Sequence, residues 1–402
     1  MKPTSSLQRL ASKDSFLCAG LMSGTSMDGV DAALVKMKAD PDRPEIELVA
    51  FKTTPYPGEL RDSLMDVAMG QACSAEDIGR LSTSVAIAFS AAFFDIVKEA
   101  RLEASRVDFI GSHGQTVAHT PPEAGSGGLA AGTLQLGPPG MIAALTGVTT
   151  IGDFRGADMA LGGQGAPLAP YADYLIRRSR THNRIILNIG GIANLTYLAK
   201  GCEREAVVAF DTGPGNMILD ALYRGLYPGA GDYDVSGGKA MEGRPDPALV
   251  ETFMTHPYFR RRPPKSAGHR EFGAPFAGEF LAQGKERGLR RRDILASAAA
   301  LTVTSIRNAI VEFINPLGPV DELFLTGGGS KNRMITERLK AELDPIEIRS
   351  IDELGIPADA KEAVDFALLA RETLLGRVNV IASVTGAGKP AILGTIALGS
   401  DR

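Results

Sequence analysis

Cysteine is scarce in this 402-residue chain, and neither sign of charge dominates it. The three cysteines, Cys18, Cys73 and Cys202, are odd in number and far apart, which excludes a disulfide framework and cysteine-rich metal spacing and suits a reducing compartment. Against 47 Asp and Glu stand 43 Lys and Arg, a formal charge of −4 that gives no electrostatic case for nucleic acid or an anionic membrane as partner. A phosphorylated ligand must therefore be met by local groups. The stretch Met1 to Ser15 is polar, and the short apolar run after it lacks the length and flanks of a signal peptide or membrane span. We expect a flexible leader over 1–14 on a cytoplasmic protein. Familiar nucleotide signatures are missing too. Gly388-Lys389 runs into Pro390 without the first glycine of a Walker A loop, and no G-x-G-x-x-G opens a helix after a strand. No G-x-S-x-G elbow supplies a hydrolase nucleophile.

What is there begins with a turn. Gly24-Thr25-Ser26-Met27-Asp28-Gly29 lies between two apolar runs, Phe16 to Met22 and Val30 to Met37, that read as strands of a hairpin. Glycines let backbone amides approach an anion, the hydroxyls add donors, and Asp28 offers a carboxylate to a hydrated Mg²⁺. The same residues also make an ordinary turn. Beyond the hairpin we expect a third strand at Ile46 to Thr53, helices at about 59–69 and 75–100, and a strand from Val107 to Gly111 leading into the loop 112–116. A Pro/Gly-rich surface loop at Pro121 to Gly132, a strand at 133–136, a helix at 141–146 and a strand at 148–151 complete this part.

The plan then recurs: Arg184 to Ile189, a turn at Gly190-Gly191, Ile192 to Leu198, Ala206 to Phe210, and a helix from about Asn216 to Tyr227. Such length exceeds what one core sustains, so two lobes built on one topology are expected. In the second copy Asp211-Thr212-Gly213-Pro214-Gly215-Asn216 is a small-residue loop carrying a carboxylate and opening a helix whose N-terminus favours an anion. A third glycine loop, Thr326 to Ser330, follows the strand Glu322 to Leu325 and precedes a helix near Asn332. Gly327, Gly328 and Gly329 would let backbone lie flat against a base or ribose; a plain strand-to-helix turn is the alternative.

Three such loops in this order resemble the actin-like ATPase superfamily. The finer motifs, GLMSGTSMDGVD (20–31), GSHGQT (111–116), DFR (153–155), GGQGAPL (162–168), LNIGG (187–191), FDTGPGN (210–216) and VTG (384–386), resemble the 1,6-anhydro-N-acetylmuramic acid kinase family over about residues 17–398. One segment departs: PPKSAGHR (263–270) stands where the family has PPKSTGRE. The resemblance implies an α/β fold of two lobes, the actin-like sugar-kinase plan with a duplicated mixed sheet and a cleft between lobes. It implies ATP and Mg²⁺ as cofactors, an anhydro sugar as the other partner, and a homodimer without nucleic acid or membrane. We place the first lobe at 15–152 plus 384–402 and the second at 153–383.

The implied reaction opens the anhydro ring and gives N-acetylmuramic acid 6-phosphate, a step of peptidoglycan recycling. A levoglucosan-type kinase and an ATPase switch without small substrate are the rival readings. The resemblance puts a general base at Asp211 and a substrate-contacting carboxylate at Glu362. Asp211 could instead cap its helix or hold Mg²⁺ through water, and Glu362 could be a solvated helix-start residue. For the nucleotide it implies the run Gly24, Thr25, Ser26, Met27, Asp28, Gly29, Val30 and Asp31, with Gly213, Gly215, Asn216 and the third loop, and Asp28 as metal ligand. Near the sugar we expect His113, Gln115, Arg155 and Gln164. Arg155 could clamp a carboxylate or phosphate at two points, or pair with Asp153 or Asp158. His113 could touch substrate or be a hydrogen-bonded structural residue.

Overall fold

The computed structural model describes residues 6–40, 42–122 and 131–400. They form two compact units, Met1–Arg177 with Asp359–Arg402, and Arg178–Ala358. The first contains strands β1 (Ser15–Ser23), β2 (Gly29–Lys38), β3 (Ile46–Pro55), β4 (Phe109–Thr120), β5 (Gly132–Leu136) and β6 (Thr150–Gly152). Its sheet runs in the order Thr395–Ala397, β6, β4, β1, β2, β3, with β5 added on β4. β1, β2 and β3 form an antiparallel meander, while β4 joins β1 and β6 joins β4 in parallel.

Side chains alternate across the sheet, so each strand feeds two layers. Ala19, Leu21 and Ile110 meet Phe89, Phe93 and Ile96 of the Ala75–Glu99 helix in one buried core. That helix starts cleanly because Ser74 and Asp77 form a reciprocal capping box. On the other face lies the Lys361–Leu374 helix. It approaches so closely that a Cβ on Gly20 would stand 1.8 Å from the Ala363 carbonyl oxygen, and one on Gly111 2.3 Å from that of Phe366.

The second unit holds β7 (Arg184–Ile189), β8 (Ile192–Leu198), β9 (Val208–Pro214), β10 (Glu322–Thr326) and β11 (Glu347–Ser350), in the order β11, β10, β7, β8, β9. β7 to β9 are an antiparallel meander, and β10 and β11 add in parallel. This is the strand plan of the first unit repeated, as expected. Its core is built around the Arg291–Ala309 helix, whose Leu295, Leu301 and Ile306 are fully buried. The helices Ala75–Glu99 and Arg291–Leu317 match a membrane span in length and composition, and both pack into these cores.

Four expectations change. The lobe boundaries fall at 177/178 and 358/359, not at 152/153 and 383/384, because residues 153–177 and the Lys361–Leu374 helix belong with the first sheet. The glycines that admit that helix leave no apolar period to read. Residues 112–116 are not a loop: β4 runs through them, bending at Gly114 (φ 71°). Likewise β9 continues through Asp211 to Pro214. Of the leader, residues 6–11 form a short helix and Lys13 binds the Asp108 carboxylate, while 1–5 lie outside the described residues, as do 123–130 of the surface loop.

Candidate active site

The hairpin of the first unit is set by β1–β2 pairing from Ser15↔Lys38 to Met22↔Asp31. Met27 adopts a left-handed backbone (φ 50°) and sinks its side chain into the core, leaving Thr25, Ser26 and Asp28 exposed. Ser26 Oγ donates to Asp28 Oδ1 at 3.0 Å. The two end glycines differ. A Cβ on Gly29 would stand 2.4 Å from the Thr54 carbonyl oxygen, so packing demands glycine there. At Gly24 the backbone is not left-handed and a Cβ would meet only Ser26 Oγ, at 4.0 Å. Neither conformation nor packing requires glycine at 24.

Val30 is buried and has only backbone to offer. Asp31 accepts a hydrogen bond from Thr53 Oγ1, and burial raises its carboxyl above the ordinary range, with Asp28 and Asp359 pushing the same way. Gln115 is fully buried. Its Nε2 donates to the carbonyls of Gly24 (3.2 Å) and Thr116 (3.1 Å), and its Oε1 accepts from Ser23 Oγ (2.7 Å) and Tyr56 Oη (3.3 Å). With its amide so occupied, Gln115 props the hairpin from behind.

His113 and Arg155 come together. Arg155 donates to His113 Nε2 from Nε (3.1 Å) and Nη2 (2.9 Å), and from Nη1 to the Gly165 carbonyl (2.7 Å). Burial, then the neighbouring guanidinium, holds the imidazole well below its usual value, so it is neutral and keeps its proton on Nδ1. Burial lowers Arg155 to about 10, with Glu362 opposing. It remains a cation, and among the described residues it has no ion pair. Asp158 does not bind it. That buried carboxylate accepts from Gly165 N–H (2.7 Å) and Thr385 Oγ1 (2.7 Å), and Gln164 N–H donates to the Thr385 carbonyl (2.8 Å). The 162–168 loop is thus pinned by Asp158, which the sequence offers only as a rival partner for Arg155. Glu362 opens the Lys361–Leu374 helix with its surface open to solvent. Crowding by surrounding protein still raises its carboxyl, Lys361 pulling it down and Asp365 and Asp31 pushing it up.

In the second unit Asp211 is held on three sides. Its N–H donates to the Lys265 carbonyl (3.1 Å), its carbonyl accepts from Tyr258 Oη (2.7 Å), and its Oδ2 accepts from Ala267 N–H (2.7 Å). Among the described residues Oδ1 accepts no hydrogen bond. Burial pushes the carboxyl up to about 7, against the pull of the Ala267 amide and Lys265, with Glu271 adding to the rise. A carboxylate poised near neutrality with one free oxygen can take a proton from water. It does not cap the following helix, since no side chain does.

The amides offered at that helix start are engaged. Gly215 and Met217 N–H donate to the Gly191 carbonyl (2.9 and 3.1 Å), and Asn216 N–H to that of Gly190 (2.8 Å). The β7–β8 turn thus holds the Gly215 and Asn216 amides that open this helix. Gly213, too, is demanded by packing, with Phe259 Cε1 and Ser305 Oγ each 2.8 Å from an added Cβ. In the third loop Gly327 (φ 79°) and Gly329 crowd Asn188 and Ile189, while Gly328 has 3.5 Å of clearance and faces Asn216 Nδ2. The Arg333–Glu342 helix that follows is capped by Asn332.

Against known families, the model for anhydro-N-acetylmuramic acid kinase matches residues 16–399. The chain belongs to that family. Curated relatives of the same name include one from Salinibacter ruber, 41% identical over 94% of this chain and 95% of its own. One from Trichormus variabilis is 42% identical over 94% and 96%, and one from Caldanaerobacter subterraneus 37% over 98% and 99%. A ROK hexokinase from Thermus thermophilus is a distant structural neighbour, 16% identical with a TM-score of 0.35 over 88% of this chain and 98% of its own. Membership of the anhydro-N-acetylmuramic acid kinase family makes this chain a kinase, and its two α/β units repeat one strand plan.

Proposed function

We propose that this kinase uses ATP to convert 1,6-anhydro-N-acetylmuramic acid and water into N-acetylmuramic acid 6-phosphate and ADP. The observation that carries the reading is Asp211: a carboxyl raised to about 7, one oxygen fixed and the other without a hydrogen-bond partner among the described residues. The anhydro sugar has no free 6-hydroxyl, so its 6-oxygen can take a phosphoryl group only as its bond to the anomeric carbon breaks. Water attacks that carbon from the opposite face and loses its proton to Asp211. The γ-phosphoryl group captures the departing oxygen, in the place of a glycosidase's general acid.

The hairpin 24–29 serves the phosphates. Mg²⁺ fits Asp28, because this ion keeps most of its waters and needs only one or two carboxylates besides phosphate oxygens; when bound it would offset phosphate charge. Among the described residues no three His, Cys, Asp or Glu gather as a denser metal site. Arg155 favours the muramic sugar over levoglucosan. A guanidinium that, among the described residues, is held by a neutral imidazole and a carbonyl keeps its charge for an anion, and the lactyl carboxylate is the anion levoglucosan lacks. Gln164 and Glu362 complete the sugar contacts. We further propose a cytoplasmic homodimer acting in peptidoglycan recycling, which sedimentation and cell fractionation would check.

The test is a phosphotransfer assay with the anhydro-muramic sugar, levoglucosan and N-acetylmuramic acid side by side, run in ¹⁸O water. Label is expected at the anomeric carbon of the product, and Asp211→Asn is expected to lose on the order of 10²–10⁴ in rate while binding both substrates. Turnover of N-acetylmuramic acid alone, or label in phosphate, would overturn ring opening.

A further inference from the structure

The segment 263–267 grips Asp211 with more than backbone. The Lys265 carbonyl and the Ala267 amide take the Asp211 main chain and Oδ2, and the Lys265 side chain turns into the unit, where it is only 7% exposed. Its ammonium lies 4.9 Å from the ring centres of Tyr258 and Phe313 and 5.7 Å from that of Phe210. These are short cation–π distances, and the charge is held by aromatic faces. Among the described residues its one hydrogen bond is a long one, 3.4 Å to the Phe259 carbonyl. Among the described residues no carboxylate lies within ion-pair distance. The cage is tied to Asp211 at two points, since Phe210 precedes it in the chain and Tyr258 Oη donates to its carbonyl.

We propose that Lys265 is a positioning residue for the reaction: its backbone fixes Asp211, and its caged ammonium favours the charged form of the Asp211 carboxylate. This rests on Asp211 being the base. A direct salt bridge would neutralise the cation locally; a π cage leaves its field to reach the carboxylate through a medium of low dielectric. The charged groups around the pair are few. Glu271 acts on Asp211 in the opposite sense, while Glu312 and Arg261 act on Lys265, the latter stacked over Tyr258 at 5.5 Å. Burial lowers Lys265 to about 8, with Glu312 and Asp211 pulling it back up. The Pro-Pro-Lys run is kept in this chain, although Ala267, His269 and Arg270 depart from the family pattern. Ala267 acts through its amide, which the change leaves in place.

The experiment is kcat/KM against pH for the wild type, Lys265→Met, Lys265→Arg and Asp211→Asn. Lys265→Met should move the acidic limb upward by about one pH unit, while Lys265→Arg keeps it near the wild-type position. An unmoved limb in Lys265→Met, with Asp211→Asn still disabled, overturns the proposal and spares the base. Near-normal rates in Asp211→Asn overturn both. A second measurement needs no Lys265 variant. In protein labelled with ¹³C at lysine Cε, Asp211→Asn must lower the titration midpoint of the Lys265 resonance, because coupling between two sites is reciprocal. A midpoint that stays put overturns the proposal.

Discussion

Asp211 carries a cost in stability that the proposed role as base would explain. Its folded value of about 7 lies above the 3.8 of an unperturbed aspartate, so the folded protein binds the proton more tightly than the unfolded chain. That stabilisation is complete below about pH 4 and is lost as pH climbs through 7. Asn carries no charge and is level across the range. The stability of Asp211→Asn relative to wild type should therefore grow between pH 4 and 7 and then hold, by up to about 4 kcal/mol. Urea midpoints at pH 4.5 and pH 8 check this, and an equal difference at both pH values would mean that Asp211 titrates normally. The carboxylate itself was legible from its motif. Lys265 was not, because its cage is assembled from Phe210, Tyr258 and Phe313, three positions with no common spacing in the sequence.

Loops show where glycine is demanded by the fold and where it is not. Gly329→Ala would drive a Cβ to 2.2 Å from Ile189 Cγ2, an overpacking worth about 1–3 kcal/mol or more. Gly24→Ala meets no such neighbour and should alter stability by about 0.5 kcal/mol or less. If the hairpin serves phosphate, the same change should raise the KM for ATP about tenfold or more, since the methyl group occupies the ligand's side of the turn. Thermal melts paired with nucleotide kinetics separate the two, and an unchanged KM in Gly24→Ala would remove the hairpin from the nucleotide site. Elements were read with matching precision where a short apolar run is bounded by turn residues, as in β7 and β8, whose ends agree with expectation residue for residue. β4 and β9 ran past their expected ends because Ser, His, Gly, Asp and Thr continue them. Hydrogen bonds to neighbouring strands hold such residues extended, and no local propensity announces it.

The first unit is assembled from two distant pieces of chain, and its stability depends on their meeting. Arg177 pairs with Asp173 (2.8 Å) and Asp365 (3.1 Å), and Lys361 with the same two carboxylates (3.0 and 2.7 Å), all four side chains buried. Removing one partner from such a set strands a buried charge, at about 3–5 kcal/mol. A fragment ending at Arg177 loses Lys361 and Asp365 together. It also loses the helix covering the face of β1 and β4 that carries Phe16, Cys18 and Phe109, each 1% exposed or less, and the Thr395–Ala397 strand paired to β6. The duplicated plan was visible in the sequence, but this closure was not, since the sealing contacts are glycine against helix backbone and charge against charge. Residues 178–358, by contrast, form a continuous stretch with their own core. Expressed alone, 178–358 should melt cooperatively and give a dispersed amide spectrum, whereas 1–177 should be unfolded or aggregate until 359–402 is supplied in trans. A cooperative melt from 1–177 alone would show that the meander and the Ala75–Glu99 helix suffice, and that the buried charges serve some end other than closing the unit.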